Sequence, residues 1–179
     1  TTTPVTMTVK LVSGFNDFRD MIEAVPHAHG YSDSRGIMSA RRAVVSRYEQ
    51  VAGFPKFDPD DVYLGNGVSD LITMTMQALL DTGDEVLIPA PDYPLWTAMT
   101  SLAGGTPVHY LCDNEDGWQP SLDDIRAKIT ERTKAIMPVH MYGASADMDA
   151  FASLCERYGL DLIEDSCQAM GATYKGRFV

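Results

Sequence analysis

From Val62 onward the sequence repeats one rhythm, a short apolar run, a turn and then an amphipathic stretch, and no other feature narrows the fold as much. Val62–Leu64 leads through GNG into Asp70–Asp81, and Glu85–Ile88 leads through PAPDYP into Leu95–Ala103. Pro107–Leu111 follows a Gly-Gly pair, Ala135–Val139 precedes HMYG and the stretch Ala146–Tyr158, and Leu160–Ile163 runs into the adjacent carboxylates Glu164 and Asp165. Strands that alternate with helices are joined by crossovers, so the pattern predicts an α/β fold, a mostly parallel sheet with helices on both faces.

Helix punctuation points the same way. Ser121 opens SLDD with Asp124 three residues on, a short variant of the capping box, and Ile125 and Ile129 share a helix face. Ser145 is the expected cap of the next helix, whose Met148, Phe151, Leu154, Cys155 and Tyr158 follow helical spacing, and Gly159 stands where a terminating glycine belongs. That stripe, Cys155 included, is expected to be core. Residues 1–30 are read as an amino-terminal arm with a first helix over Asp17–Val25, and residues 31–179 as one cofactor-binding unit. GFPKFDPDD is read as a surface connection.

Charge and length exclude several classes. Acidic residues outnumber basic ones by 25 to 14, the net charge is −11, and the largest basic cluster is Arg41-Arg42. Nucleic acid and anionic membranes need concentrated positive charge, so neither is expected as a partner. No apolar run approaches the roughly 20 residues of a membrane span, and TTTPVTMTVK has no secretory pattern, so a cytoplasmic residence is expected. The three cysteines lie far apart without CxxC or histidines in ligand spacing, which speaks against a metal site.

Ligands of open α/β sheets sit outside the carboxyl ends of the strands, near a switch in strand order. In GNGVSD, Gly67 permits close backbone approach, and Val68, Ser69 and Asp70 open a helix whose free N–H groups, dipole and Ser69 hydroxyl suit a phosphate. In PAPDYPLW, Tyr93 stands between prolines where its ring can stack on a planar ligand or join the core. Asp165 ends a buried strand, where a carboxylate is costly unless it meets a cation or several donors. It is either a backbone-capping residue or the group that holds a proton on a heterocyclic nitrogen, and Gln168 is placed to reach the same ligand. A phosphate seat, a stacking ring and a carboxylate together describe a pocket for pyridoxal 5′-phosphate, whose ring nitrogen stays protonated so that the ring can act as an electron sink.

The segments YSDSRGIMSARRAVVSRYEQ, DVYLGNGVSDLITMTMQALLDTGDEVLIPAPDYPLWTA, GGTPVHYLCD and DDIRAKITERTKA, within residues 31–135, resemble bacterial alanine aminotransferases of the class I, fold type I group. The resemblance implies that Val68 and Ser69 hold the cofactor phosphate, that Tyr93 stacks on the ring, and that Tyr31 reaches the phosphate of the neighbouring subunit in a homodimer. After Ala135 the class I NPNNPTG and DEIY patterns are replaced by PVHMYG, ADMDA and EDSCQAMGATYKG, which resemble the DegT-type nucleotide-sugar aminotransferases. There the matching Asp165 pairs with the pyridine nitrogen and Gln168 contacts the ring hydroxyl. The chain thus reads as a chimera of two branches of one superfamily joined near Ile136, covering roughly the first half of an aminotransferase.

Both branches place the Schiff-base lysine after this segment, so no catalytic lysine is assigned. Lys10, Lys56, Lys128, Lys134 and Lys175 all fall outside the motif, Lys128 and Lys134 reading as solvent-facing and Lys175 as part of the YKGR turn. The implied function is transamination from an amino acid to a 2-oxo acid or oxo-sugar, in an incomplete chain. The alternatives are a non-catalytic or designed domain of the same fold, and a sugar-modifying lyase or dehydratase with His140 as base in place of the lysine.

Overall fold

The computed structural model describes residues 8–10, 31–51, 54–115 and 117–179. Its elements are β1 (Thr8–Lys10), α1 (Met38–Glu49), α2 (Val68–Leu79), β2 (Glu85–Ala90), α3 (Pro94–Leu102), β3 (Thr106–Asp113), β4 (Gln119–Pro120), α4 (Leu122–Lys128), β5 (Thr133–Ile136), α5 (Met148–Tyr158), β6 (Asp161–Glu164), β7 (Thr173–Tyr174) and β8 (Arg177–Phe178). Among the described residues six strands form one sheet in the order β1-β6-β5-β2-β3-β4, parallel throughout except for β4 against β3. The strand β3 lies on one side of β2, and β5 and β6 on the other, so the order reverses at β2.

Alternation along the strands feeds two cores. Val86, Ile88, Ala135, Met137 and Ile163 meet Ile72 and Met76 of α2 and Trp96 of α3 on one face. On the other, Leu87, Tyr110, Ile136 and Leu162 meet Ile125 of α4 and Phe151, Leu154 and Cys155 of α5. This is the three-layer α/β arrangement expected from the rhythm. Gly159 ends α5 in the left-handed region at φ 68°, and Cys155 is buried in the core, both as expected.

Four local expectations are corrected. Val62–Leu64 is no strand: its backbone takes one cross-chain bond, Leu64 N–H to Arg35 O at 2.9 Å, and Val62 alone is buried. The cap of α5 is Asp147, which accepts from the Ala150 N–H at 3.2 Å, while the Ser145 hydroxyl donates to Ala146 O. Ser121 does cap α4 by accepting from Asp124 N–H, but the Asp124 carboxylate turns away from a capping box to accept from Leu111 N–H and Lys128 Nζ. Lys128 also donates to His109 O at 2.7 Å, so it is half-buried and engaged rather than solvent-facing. The first helix expected over Asp17–Val25 lies outside the described residues, as does most of the arm.

At the amino end of β2 the buried Glu85 accepts from Thr130 Oγ1 at 2.5 Å and from Arg132 Nε at 2.9 Å. The Thr130 hydroxyl, and then the Arg132 guanidinium, hold its carboxyl below the usual glutamate range against the opposing effect of burial. Because the folded value is the lower one, the contribution to stability is present above the unfolded value and is lost as pH falls through the folded value. Glu85→Gln is therefore expected to lose less stability than the parent chain on acidification below the ordinary glutamate range. Urea midpoints measured against pH check this, and parallel curves for the two proteins would refute it.

Candidate functional site

The reversal of strand order marks the carboxyl ends of β2, β5 and β6 as the place where an open α/β sheet forms a ligand crevice. Into it lead the amino end of α2, the loop from β2 to α3, and the segment after β6. Val68 of α2, Leu95 and Trp96 of α3, and Cys167 belong to or pack against one apolar cluster, which brings these three chain segments together on one face of the sheet.

Asp165 sits at the centre of this region, 8% exposed. Its backbone is clamped to the neighbouring segment by Asp165 N–H to Pro138 O and His140 N–H to Asp165 O, both at 3.0 Å. The Trp96 indole Nε1–H donates to Oδ2 at 3.1 Å and the Cys167 N–H to Oδ1 at 3.1 Å. Burial, and then the Asp165 carboxylate to which it hydrogen-bonds, push the Cys167 thiol up to about 12, so it stays protonated and donating. Three donors leave a carboxylate room for one more. The Ser166 hydroxyl beside it is buried without a hydrogen-bond partner among the described residues.

The helix α2 begins at Gly67, whose φ of 83° and ψ of 173° suit glycine, and a Cβ there would project into open space. Its first-turn N–H groups have no side-chain cap, and the Ser69 hydroxyl is exposed. Asp70 turns back to accept from Asn66 N–H at 2.8 Å, fixing the GNG loop. Tyr93 is the residue before α3 and is 60% exposed, so it is not a core ring. Gln168 is exposed, and its carbonyl accepts from Gly143 N–H at 3.0 Å, joining the HMYG turn to the Asp165 segment. Tyr31 is fully exposed.

His140 is not a base facing a ligand. Its ring is wholly buried, Nδ1 accepts from Ala146 N–H at 3.2 Å, and Nε2 meets Glu164 Oε2 at 3.2 Å on the face opposite Asp165. Sequence reasoning missed Trp96 and Cys167 as partners of Asp165. The signal for Trp96 was its place about one helical turn after Tyr93. A cavity of about 230 Å³ lined by Gln119, Pro120, Leu122, Asp147 and Phe151 belongs to the α4 and α5 side, away from this crevice.

Of the lysines, Lys175 lies in the turn between β7 and β8, where its Nζ donates to Asp149. Lys10 stands in register with Glu164, not with Asp165. Among the described residues no cluster of histidine, cysteine and carboxylates has metal-binding geometry, and no helix is long and apolar enough to cross a membrane.

The family model of the DegT/DnrJ/EryC1/StrS aminotransferases matches residues 61–179. The chain belongs to this aminotransferase family. It is 74% identical over 122 residues to the alanine aminotransferase of Mycobacterium tuberculosis (strain ATCC 25618 / H37Rv), a match that covers 68% of this chain and 28% of that protein. It is 39% identical over 116 residues to the GDP-perosamine synthase of Escherichia coli O157:H7, covering 65% of this chain and 32% of that one. Among solved structures, an Escherichia coli aminotransferase superposes with a TM-score of 0.76 at 46% identity, over 82% of this chain and 38% of its own. The Pyrococcus furiosus alanine aminotransferase gives 0.78 at 35% identity, over 90% and 42%. The DegT-family chain thus spans about three-tenths of the length of these curated relatives, and it carries the partial α/β transferase domain read from its sequence.

Proposed function

We propose that this chain is the cofactor-binding part of a pyridoxal 5′-phosphate-dependent aminotransferase acting on an amino acid and a 2-oxo acid or oxo-sugar. The observation that carries the reading is the buried Asp165, held by Trp96 and Cys167 with one acceptor position left, on the face where the uncapped first turn of α2 and the exposed Tyr93 ring emerge. This donor and acceptor set fits the cofactor. Gly67, Val68 and Ser69 would bind its phosphate through first-turn N–H groups and the Ser69 hydroxyl. Tyr93 would stack on the ring, Asp165 would keep a proton on the ring nitrogen, and Gln168 would contact the ring hydroxyl. When bound, pyridoxal phosphate supplies an electron sink for chemistry beside an amino group.

The relatives' names support transamination, and the two kinds of relative support a chain that combines features of both branches, joined near the end of β5. A homodimer in which Tyr31 serves the neighbouring subunit's phosphate, and a cytoplasmic residence, complete the proposal. The non-catalytic alternative is favoured by the described lysines: Lys128 is engaged with His109 and Asp124, and Lys175 with Asp149.

Titration of the chain with pyridoxal phosphate, followed by borohydride reduction and intact mass measurement, separates the readings. Saturable binding without a covalent adduct is the expected result and supports the pocket in a catalytically incomplete chain. An adduct would overturn the statement that no lysine serves the site. Absence of binding would overturn the cofactor assignment.

A further inference from the structure

The loop between β2 and α3 carries a connection that the proposed cofactor contacts do not use. Thr97 lies in the first turn of α3, where a threonine hydroxyl ordinarily bonds back to the carbonyl four residues earlier. Here Thr97 Oγ1 instead donates to Asp92 Oδ2 at 2.5 Å. Its oxygen stands 2.9 Å from His109 Nε2, and with the hydroxyl proton directed to Asp92 the imidazole N–H is the donor of that contact. His109 Nε2 and Asp92 Oδ2 are 3.5 Å apart, so Thr97 bridges a pair that barely touches directly. His109 is on β3, in register with Ile88 of β2, and shares the sheet face covered by α3.

The two ends of this chain flank the residues of interest. Asp92 precedes Tyr93, whose carbonyl accepts from Trp96 N–H at 3.0 Å, and Thr97 follows Trp96, whose indole reaches Asp165. Tyr93 has no side-chain capping bond of its own to fix the start of α3. We propose that Asp92, Thr97 and His109 are positioning residues: their hydrogen-bond chain fastens the first turn of α3 to β3 and thereby sets both the Tyr93 ring and the Trp96 donor against Asp165. The role in cofactor binding rests on the reading above; the fastening of Trp96 does not.

The test uses two substitutions in the full chain. Thr97→Val keeps the shape and removes the hydroxyl; Thr97→Ser keeps the hydroxyl. Exchange of the Trp96 indole N–H, assigned by NMR with the help of Trp118→Phe, is expected to speed up at least about tenfold in the valine variant, as for the loss of roughly one hydrogen bond, and to stay near the parent rate in the serine variant. Pyridoxal phosphate affinity is expected to fall by about the same factor in the valine variant and to be retained in the serine variant. Parent-like exchange in the valine variant, or equal acceleration in both variants, overturns the hydrogen-bond chain. Altered exchange with unaltered cofactor affinity overturns its role in binding. A parent chain that takes up no pyridoxal phosphate overturns the cofactor reading and the binding role, and the exchange result then stands or falls alone.

Discussion

Replacement of Asp165 with alanine is expected to weaken pyridoxal phosphate binding roughly 10- to 150-fold, the equivalent of about 1.5–3 kcal/mol for a hydrogen bond to a charged group. The size follows from burial: Asp165 is 8% exposed, so water cannot replace the lost partner of a protonated ring nitrogen. The alanine variant also orphans the Trp96 indole N–H and the Cys167 N–H, so it is expected to lose stability. Asp165→Asn separates the two effects. Its carbonyl oxygen can still accept from Trp96, although its NH2 group then faces the Cys167 N–H, and the neutral amide cannot hold a proton on the ring, so affinity should fall nearly as far while the urea midpoint falls less than in the alanine variant. An asparagine variant that binds the cofactor like the parent would show that the negative charge is not what the site uses.

His140→Leu is expected to destabilise the fold strongly, by about 2–6 kcal/mol, because two buried polar groups are each left unsatisfied at about 1–3 kcal/mol apiece. The substitution leaves the Glu164 carboxyl, 9% exposed by its side chain, and the Ala146 N–H without the imidazole between them. His140→Leu combined with Glu164→Leu should recover most of the loss, because two apolar side chains of suitable volume remove the unmatched group. Urea denaturation of the two single variants and the double variant provides the cycle. Additive losses would mean that His140 and Glu164 do not act as a pair. The site reports the same event, since the backbones of His140 and Asp165 are joined.

The alternation of apolar runs and amphipathic stretches made the sheet and its two helical layers legible, because helix and strand periods differ and the central strand β2 is buried on both faces. Val62–Leu64 misled for a physical reason: three apolar residues carry no period, and their backbone found Arg35 rather than a strand. Ser145 and Asp147 are both good capping residues two positions apart, and side-chain geometry decided for Asp147. Ser69, Tyr93 and Asp165 stand out in the sequence as candidates because they follow turns at strand or helix ends, and in the fold the first two are exposed and the third is buried. Trp96, Cys167 and His109 do not stand out. Their roles depend on contacts between segments far apart in sequence, and indole, thiol and imidazole groups all look like ordinary core or surface residues in a linear text.

The pairing of β1 with β6 joins Thr8 to Leu162 and Lys10 to Glu164, almost the full length of the chain apart. Loop closure on that scale carries an entropy cost that local contacts do not, and it is met only after the intervening strands and helices have shortened the effective loop. During synthesis the first strand must wait for every segment through β6 to emerge. The strand that leads into Asp165 is therefore among the last to gain both of its neighbours, which makes the surroundings of Asp165 a late product of folding rather than a nucleus for it.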